Sequence, residues 1–193
     1  MSKHSGKFIL EELIQGNLRF QKNQSTTIIN NKEVLSNEPK AIILSCIDSR
    51  VIPEVIFDQG IGDLYVSRIA GNIENKDIIN SFEFACNFKG CKVLLVLGHE
   101  DCGAVTSVCD NHETLFVNLK PHIAPAIKAI SQKINFDKDR NQYITKVSEL
   151  SVLLTLDRIR FKSPILGDLE KNNELILVGA MYSLITGEIR ILN

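Results

Sequence analysis

The sequence predicts an α/β fold, a mostly parallel central β-sheet flanked by helices. Three observations predict it. Short apolar runs at 41–46, 63–70, 93–97 and 175–181 alternate with stretches of helical spacing, an order that gives parallel pairing through right-handed crossovers. The runs are nearly continuous in apolar character rather than alternating, as strands covered on both faces must be. Two of them lead directly into residues that bear chemistry, Cys46 and His99.

Each element follows from local pattern. Residues 8–22 place Leu10, Leu13, Ile14 and Leu18 at helical spacing, with Gly16 as a weak point, and residues 1–35 as a whole read as an N-terminal arm. The polar, turn-rich stretch 30–39 leads into the first strand, 41–46. Pro53 opens a short helix through Phe57, where its missing N–H costs nothing. A second strand over 63–70 stops at Gly71-Asn72. Ile78, Ile79, Phe82, Ala85 and Cys86 form an apolar helical stripe that ends at Gly90, a left-handed cap. The run 93–97 is the most apolar strand.

Over 115–134, helical stretches are interrupted by Pro121 and Pro125. Residues 147–159 are helical with an apolar face wide enough to bury against more than one surface, a partner subunit among them. Residues 175–181 form a strand, and Thr186-Gly187 turns into 188–192 as a C-terminal edge hairpin. No repeat or dividing linker appears, so residues 1–193 read as one domain.

Composition narrows the function. With 44% hydrophobic and 23% charged residues, the chain can bury one sizeable core. A net charge of -1 gives no reason to expect nucleic acid or an anionic membrane as partner. Five cysteines at irregular spacing argue against a disulfide framework and for a reducing compartment. Glu11 and Glu12 break the first apolar stretch, so no signal-peptide core forms, and no run approaches the ~20 apolar residues that span a bilayer. A cytoplasmic protein is expected.

The chemistry lies in Cys46-Ile47-Asp48-Ser49-Arg50 and His99-Glu100-Asp101-Cys102. Together they supply one imidazole and two thiolates. Structural zinc is closed by four protein ligands, whereas catalytic zinc keeps three and leaves the fourth position to water. Taken singly, each residue has a plainer reading: an isolated Cys is usually a small buried apolar side chain, and Asp-x-Arg a surface ion pair. Their joint placement at the carboxyl ends of two strands, where open α/β sheets collect ligands, favours a shared Zn2+, one per chain. Cys86, Cys91 and Cys109 read as packing residues, and His112 and His122 as solvated side chains.

In these residues the chain resembles a β-class carbonic anhydrase. The likeness runs from Gly16-Asn17-Leu18-Arg19-Phe20 through Cys46-Ile47-Asp48-Ser49-Arg50-Val51, Arg68-Ile69-Ala70-Gly71-Asn72 and Gly98-His99-Glu100-Asp101-Cys102-Gly103 to Gly179-Ala180-Met181-Tyr182 and Thr186-Gly187. It implies a zinc enzyme that interconverts carbon dioxide and bicarbonate, built as a homodimer or a dimer of dimers with the active-site cleft at the subunit interface. It implies Cys46, His99 and Cys102 as metal ligands, Asp48 and Arg50 as catalytic residues, and a second, closed state with Asp48 as fourth ligand. The substrate pocket it implies comprises Asn37, Tyr65, Phe84 and Gly103.

On the three-histidine zinc of other carbonic anhydrases, bound water ionises near pH 7. Two thiolates give the metal more charge than imidazoles and acidify water less, so something must compensate. Asp48 is the candidate: paired with Arg50, it stays ionised and can orient the hydroxide that attacks carbon dioxide.

Several positions depart from better-known members. Plant-type members carry Gln where this chain has Asn37, and Phe and Tyr where it has Tyr65 and Phe84. Members regulated by a second bicarbonate site carry Trp where this chain has Ile43. Arg68 of that regulatory site remains, with a structural role expected, so no bicarbonate-controlled closure is predicted. Competing readings are hydrolysis of carbon disulfide or carbonyl sulfide on the same scaffold, and a structural or sensory zinc closed by Asp48. A thiolate phosphatase is excluded, because Arg50 follows Cys46 by four residues rather than six and no Gly-rich phosphate loop appears.

Overall fold

A computed structural model describes residues 5–26, 39–110, 117–136 and 138–192. Its centre is a five-stranded sheet of β1 (Ala41–Ser45), β2 (Leu64–Arg68), β3 (Val93–His99), β4 (Ile176–Tyr182) and β5 (Ile189–Leu192), in the order β2-β1-β3-β4-β5. The first four strands are parallel, and β5 runs antiparallel to β4 at the edge, as the hairpin pattern predicted. From β1 the chain winds one way to β2, then crosses back to β3. The order therefore reverses between β1 and β3, and the crevice outside their carboxyl ends is where such sheets bind ligands.

Both sheet faces are covered, which explains strands without polar alternation. On one face Ile42, Leu44, Leu94 and Val96 pack against α3 (Lys76–Glu83), α6 (Arg140–Lys162) and α7 (Pro164–Lys171). On the other, Ala41, Ile43, Val93, Leu95 and Leu97 pack against α1 (Gly6–Gln21) and α2 (Pro53–Ile56). A third apolar cluster, over the carboxyl ends, joins Cys46, Ile73 and Cys102 to α4 (Gly103–Cys109), α5 (Lys120–Ile130) and the first half of α6.

The helices refine the sequence reading in four places. First, α1 lies on the chain's own sheet, with Ile9 and Leu13 buried there. Gly16 is no weak point: a Cβ at this position would sit 1.9 Å from the Phe57 carbonyl oxygen, so glycine is what lets α1 lie against the end of α2. At the next residue, the buried Asn17 amide donates to the carbonyls of Ile56 (3.2 Å) and Gly187 (2.8 Å) and accepts from the Ile189 N–H (3.0 Å). It thereby ties α1 to α2 and to the edge hairpin.

Second, α3 widens after Glu83 into a π-helical turn, Phe84–Phe88, closed by the Lys89 N–H on the Phe84 carbonyl at 3.0 Å. The wider turn keeps Ala85 and Cys86 in the core and leaves Phe84 and Phe88 48% and 75% exposed. Third, α5 is not interrupted by its prolines. Pro121 lies in the first turn, and Pro125 forfeits only the bond to the Pro121 carbonyl near the helix start.

Fourth, α6 is longer than predicted, and its wide apolar face is buried within the chain. Val152, Leu156 and Ile159 pack on the sheet, while Tyr143, Ile144 and Val147 pack with α4 and α5. Val152 is seated between two strands that lack side chains there: a Cβ on Gly98 or Gly179 would lie 2.6 or 2.8 Å from its methyl groups. Among the described residues, no helix is long and apolar enough to cross a membrane.

Candidate metal centre

Cys46 leaves β1, His99 ends β3, and Cys102 caps the start of α4 after a turn in which Asp101 takes a left-handed φ of 51°. The switch point of the sheet thus brings together residues separated by more than fifty positions. Their ligand atoms all lie within 4.8 Å of one another, and all three residues are buried. The two sulfurs are 3.9 Å apart. A disulfide would require about 2.05 Å. Two thiolates on a tetrahedral zinc with Zn–S of ~2.3 Å stand about 3.8 Å apart, so the spacing fits shared coordination.

The imidazole gives a second test of fit. His99 is 0% exposed; its Nδ1 donates to the Glu100 carbonyl at 2.8 Å, which leaves Nε2 as a bare lone pair. Nε2 is buried without a hydrogen-bond partner among the described residues. A buried polar atom left unpaired is costly, and a ring held through its other nitrogen by a backbone carbonyl is how metal-ligating histidines are oriented. The donor set therefore fits zinc.

Protonation of the thiols agrees. The Cys102 side chain hydrogen-bonds the Cys46 sulfur and pushes Cys46 well below the usual thiol range against the effect of burial, with help from the Asp48 and Gly71 N–H groups. Cys102 moves up in turn, from that same contact and from burial, opposed by the Val105 and Ala104 N–H groups. A coordinated metal ion favours loss of the proton from both thiols.

Asp48 is turned away from this cluster. Arg50 grips it bidentately, Nε to Oδ1 at 3.0 Å and Nη2 to Oδ2 at 2.8 Å, and the Arg50 N–H adds a bond to Oδ1 at 2.9 Å. These hydrogen bonds hold the Asp48 carboxyl far below the ordinary range and raise Arg50 above its own. Arg50 also reaches Asp101 Oδ2 (3.2 Å) and the Asp101 carbonyl (3.3 Å), linking the loop after β1 to the one after β3. Arg68 braces the first loop from below, donating to the carbonyls of Cys46 (2.9 Å) and Asp48 (2.6 Å). That is the structural role expected of it.

The remaining pocket residues fall elsewhere. Asn37 and His112 lie outside the described residues. Tyr65 pairs in register with Ile42, four residues before Cys46, which puts it about 13 Å back along the sheet at ~3.3 Å per residue. It meets Phe84 edge-on, ring centroids 6.3 Å apart, and its hydroxyl is buried without a partner among the described residues. The fold therefore does not gather Tyr65 and Phe84 around the chain's own Cys-His-Cys cluster. Gly103 follows Cys102 directly at the start of α4, and apart from its chain neighbours and its own helix backbone nothing among the described residues lies within 4 Å of where its Cβ would be.

One buried charged group escaped the sequence reading. The Glu74 side chain is wholly buried and receives Arg158 Nε on both oxygens (3.0 and 2.9 Å) and Lys162 Nζ at 2.8 Å, with His122 Nδ1 facing it at 3.4 Å. His122, read as solvated, is only 20% exposed at its side chain, because the first turn of α5 packs over Glu74. The spacing of Arg158 and Lys162, one helical turn apart on α6, was the sole available signal.

A carbonic anhydrase family model matches residues 41–189. A carbonic anhydrase of Helicobacter pylori (strain J99) is 30% identical over 195 positions, covering 92% of this chain and 88% of that protein. Carbonic anhydrase 2 of Mycobacterium tuberculosis is 44% identical over 70 residues, a match that spans 36% of this chain and 34% of the relative. Among solved structures, the β-carbonic anhydrase of Coccomyxa in complex with acetazolamide superposes with a TM-score of 0.69 at 22% identity, over 100% of this chain and 87% of that one. One from a study of two tetrameric β-carbonic anhydrases of Sordaria macrospora gives 0.69 at 20% identity, with 82% of each chain covered. At these identities the structural likeness concerns the fold: a parallel sheet wrapped by helices, shared with the β class. The chain belongs to the carbonic anhydrase family, in its β class.

Proposed function

We propose that the protein is a zinc-dependent carbonic anhydrase that reversibly hydrates carbon dioxide to bicarbonate and a proton. The observation that carries this reading is the buried, unpartnered Nε2 of His99 set among two sulfurs 3.9 Å apart, with the nearby Asp48 carboxylate drawn off by Arg50. Three protein ligands, Cys46, His99 and Cys102, would hold the metal, and a catalytic site needs the fourth position for water. When bound, zinc supplies the Lewis acidity that makes water a nucleophile near neutral pH.

The chain's own groups do the rest. Asp48, kept ionised by Arg50, accepts the hydrogen bond of the attacking oxygen and orients its lone pair toward carbon dioxide. Arg50 holds Asp48 away from the metal position and, through Asp101, fixes both ligand loops together. Ile43 fills the place of the Trp of bicarbonate-regulated members, and Arg68 is occupied by loop carbonyls, which supports an Asp48 that stays on Arg50.

The working unit is a homo-oligomer, a dimer at minimum. Support comes from the edge of β2 and the Tyr65 hydroxyl, both without a partner among the described residues, and from the exposed Phe84 and Phe88 beside them. In a dimer formed there, Tyr65 and Phe84 would face a partner's metal. The reading is tested by stopped-flow carbon dioxide hydration at pH 6.5 to 9 on metal-analysed protein. One zinc per chain with a rate that rises with pH supports it. Zinc without hydration at any pH would shift it to carbonyl sulfide or carbon disulfide, if those are hydrolysed, or to a structural metal.

A further inference from the structure

We propose that Asp101 is a positioning residue for hydration: its carboxylate fixes the Arg50 guanidinium, and through it the Asp48 carboxylate, relative to the loop that carries His99 and Cys102. The inference rests on the carbonic anhydrase reading above and gives a role to a residue that the ligand set and the Asp48–Arg50 pair leave unassigned.

The pair of Asp48 and Arg50 is self-contained. Both stand on the loop after β1, two residues apart, and Arg50 engages Asp48 through Nε (3.0 Å), Nη2 (2.8 Å) and its backbone N–H (2.9 Å). None of these three bonds refers to the loop after β3, where two of the metal ligands stand, so the pair alone does not set its direction toward them. Arg68 braces the carbonyls of Cys46 and Asp48, which acts on the backbone of the first loop rather than on either side chain of the pair. Asp101 supplies the missing reference. Its Oδ2 accepts from Arg50 Nη1 at 3.2 Å and its carbonyl from Nη2 at 3.3 Å. The guanidinium is therefore gripped along two edges, one from each loop.

The turn does not account for the carboxylate. Asp101 has a φ of 51°, a conformation that glycine or asparagine takes at least as readily. What aspartate adds there is a negative charge, and that charge meets Arg50. Stability does not account for it either. The Asp101 side chain is 78% exposed and that of Arg50 50%, and exposed ion pairs contribute little to folding. Direction is another matter. A planar guanidinium bound through two parallel hydrogen bonds carries its own orientation over to the carboxylate it holds. Asp48 has to accept a hydrogen bond from the attacking oxygen at a fixed angle, so a contact too weak to hold the fold can still decide how well that oxygen is aimed.

The experiment is a double-mutant cycle on full-length, zinc-loaded protein. Asp101→Asn keeps size and the left-handed turn and removes the charge; Asp101→Gly keeps the turn and removes the side chain. Each is made in the wild-type and in the Asp48→Asn background, and kcat/KM for carbon dioxide hydration is measured with zinc content. Asp101→Asn is expected to lower kcat/KM about 3-fold with zinc retained, within the span that an exposed ion pair supplies. In the Asp48→Asn background it is expected to cause no further loss, because the two substitutions then remove the same function. An equal loss in both backgrounds would mean that Asp101 acts on the fold or the metal rather than through Asp48, and would overturn the proposal. A wild-type rate in Asp101→Asn would overturn it as well. If Asp101→Asn loses zinc or does not fold, Asp101→Gly decides by the same comparison, and failure of both makes Asp101 a structural residue and overturns the proposal. A wild-type protein that holds zinc and hydrates nothing would instead defeat the carbonic anhydrase reading itself.

Discussion

Two pairs of cysteines in this chain have opposite fates. Cys46 and Cys102 lie at the carboxyl end of the sheet, next to a bare imidazole nitrogen, with backbone N–H groups acting on both sulfurs. Cys86 and Cys91 lie in the apolar layer beneath α6 and α7, where burial pushes their thiols up to about 12 and about 11. Burial is equal, so burial does not decide reactivity; the supply of donors and of a third ligand does. The carboxyl end of the sheet brings N–H groups and a helix start to its thiols, whereas Cys86 is set among apolar side chains and Cys91 meets a carbonyl acceptor, neither of which favours a thiolate.

The largest test of this contrast is substitution within the first pair. Cys46→Ala or Cys102→Ala leaves two ligands, and zinc content and hydration are both expected to fall to background while the protein remains folded. Metal analysis with stopped-flow assay checks it. Full activity in either variant would dissolve the distinction. Next comes Asp48→Asn, which keeps shape but no longer accepts as an anion. A loss of about 100-fold in hydration with zinc retained is expected, since outer partners of a metal site typically contribute 10–100-fold.

A third test concerns the buried ionic group that Glu74 forms with α6. Burial pushes the Glu74 carboxyl up, but hydrogen bonds from Lys162 and Arg158 outweigh it, so its folded value lies below the ordinary one. A group so depressed contributes stability that is present above its unfolded pKa of about 4.3 and is lost as pH falls through the folded value. Chemical denaturation at pH 6 and pH 3 is expected to show an acid-dependent loss that Glu74→Gln flattens. Removing one partner of a buried pair costs about 3–5 kcal/mol, so the variant is also expected to be less stable at pH 6.

These cases differ in how far the sequence betrays them. Cys46, His99 and Cys102 were legible because Cys46 follows one apolar strand, His99 ends another and Cys102 stands three residues beyond it, and the strand order brings those ends together. The Asp48–Arg50 pair was legible because it is local, two residues apart. Glu74 was not, since its partners lie 84 and 88 residues away and nothing local marks a glutamate as buried. His122 was misread for the same reason: a polar, proline-rich neighbourhood describes its chain neighbours, not what packs over it. Gly16 looked like a helix flaw because a single helix cannot show the Phe57 carbonyl pressed against it.

The smallest expected effect lies in the second cysteine pair, and it closes the contrast. Cys86 is buried among Ile79, Phe82, Leu94 and Ile159, so Cys86→Ala removes one sulfur from a packed layer and leaves a void smaller than a methylene pair. Losses at such positions scale with the atoms removed, about 1 kcal/mol here by comparison with Ile→Val changes of 0.5–1.5 kcal/mol. Cys91 has one more attachment, its thiol donating to the Pro39 carbonyl at 3.0 Å, so Cys91→Ala also leaves that carbonyl without this donor and is expected to cost slightly more. Urea denaturation of both variants, with zinc content and hydration unchanged, is the expected result. Loss of zinc from either would mean that the apolar layer beneath α6 and the metal pocket above it are coupled, and that position along the strand does not by itself separate a structural thiol from a ligand.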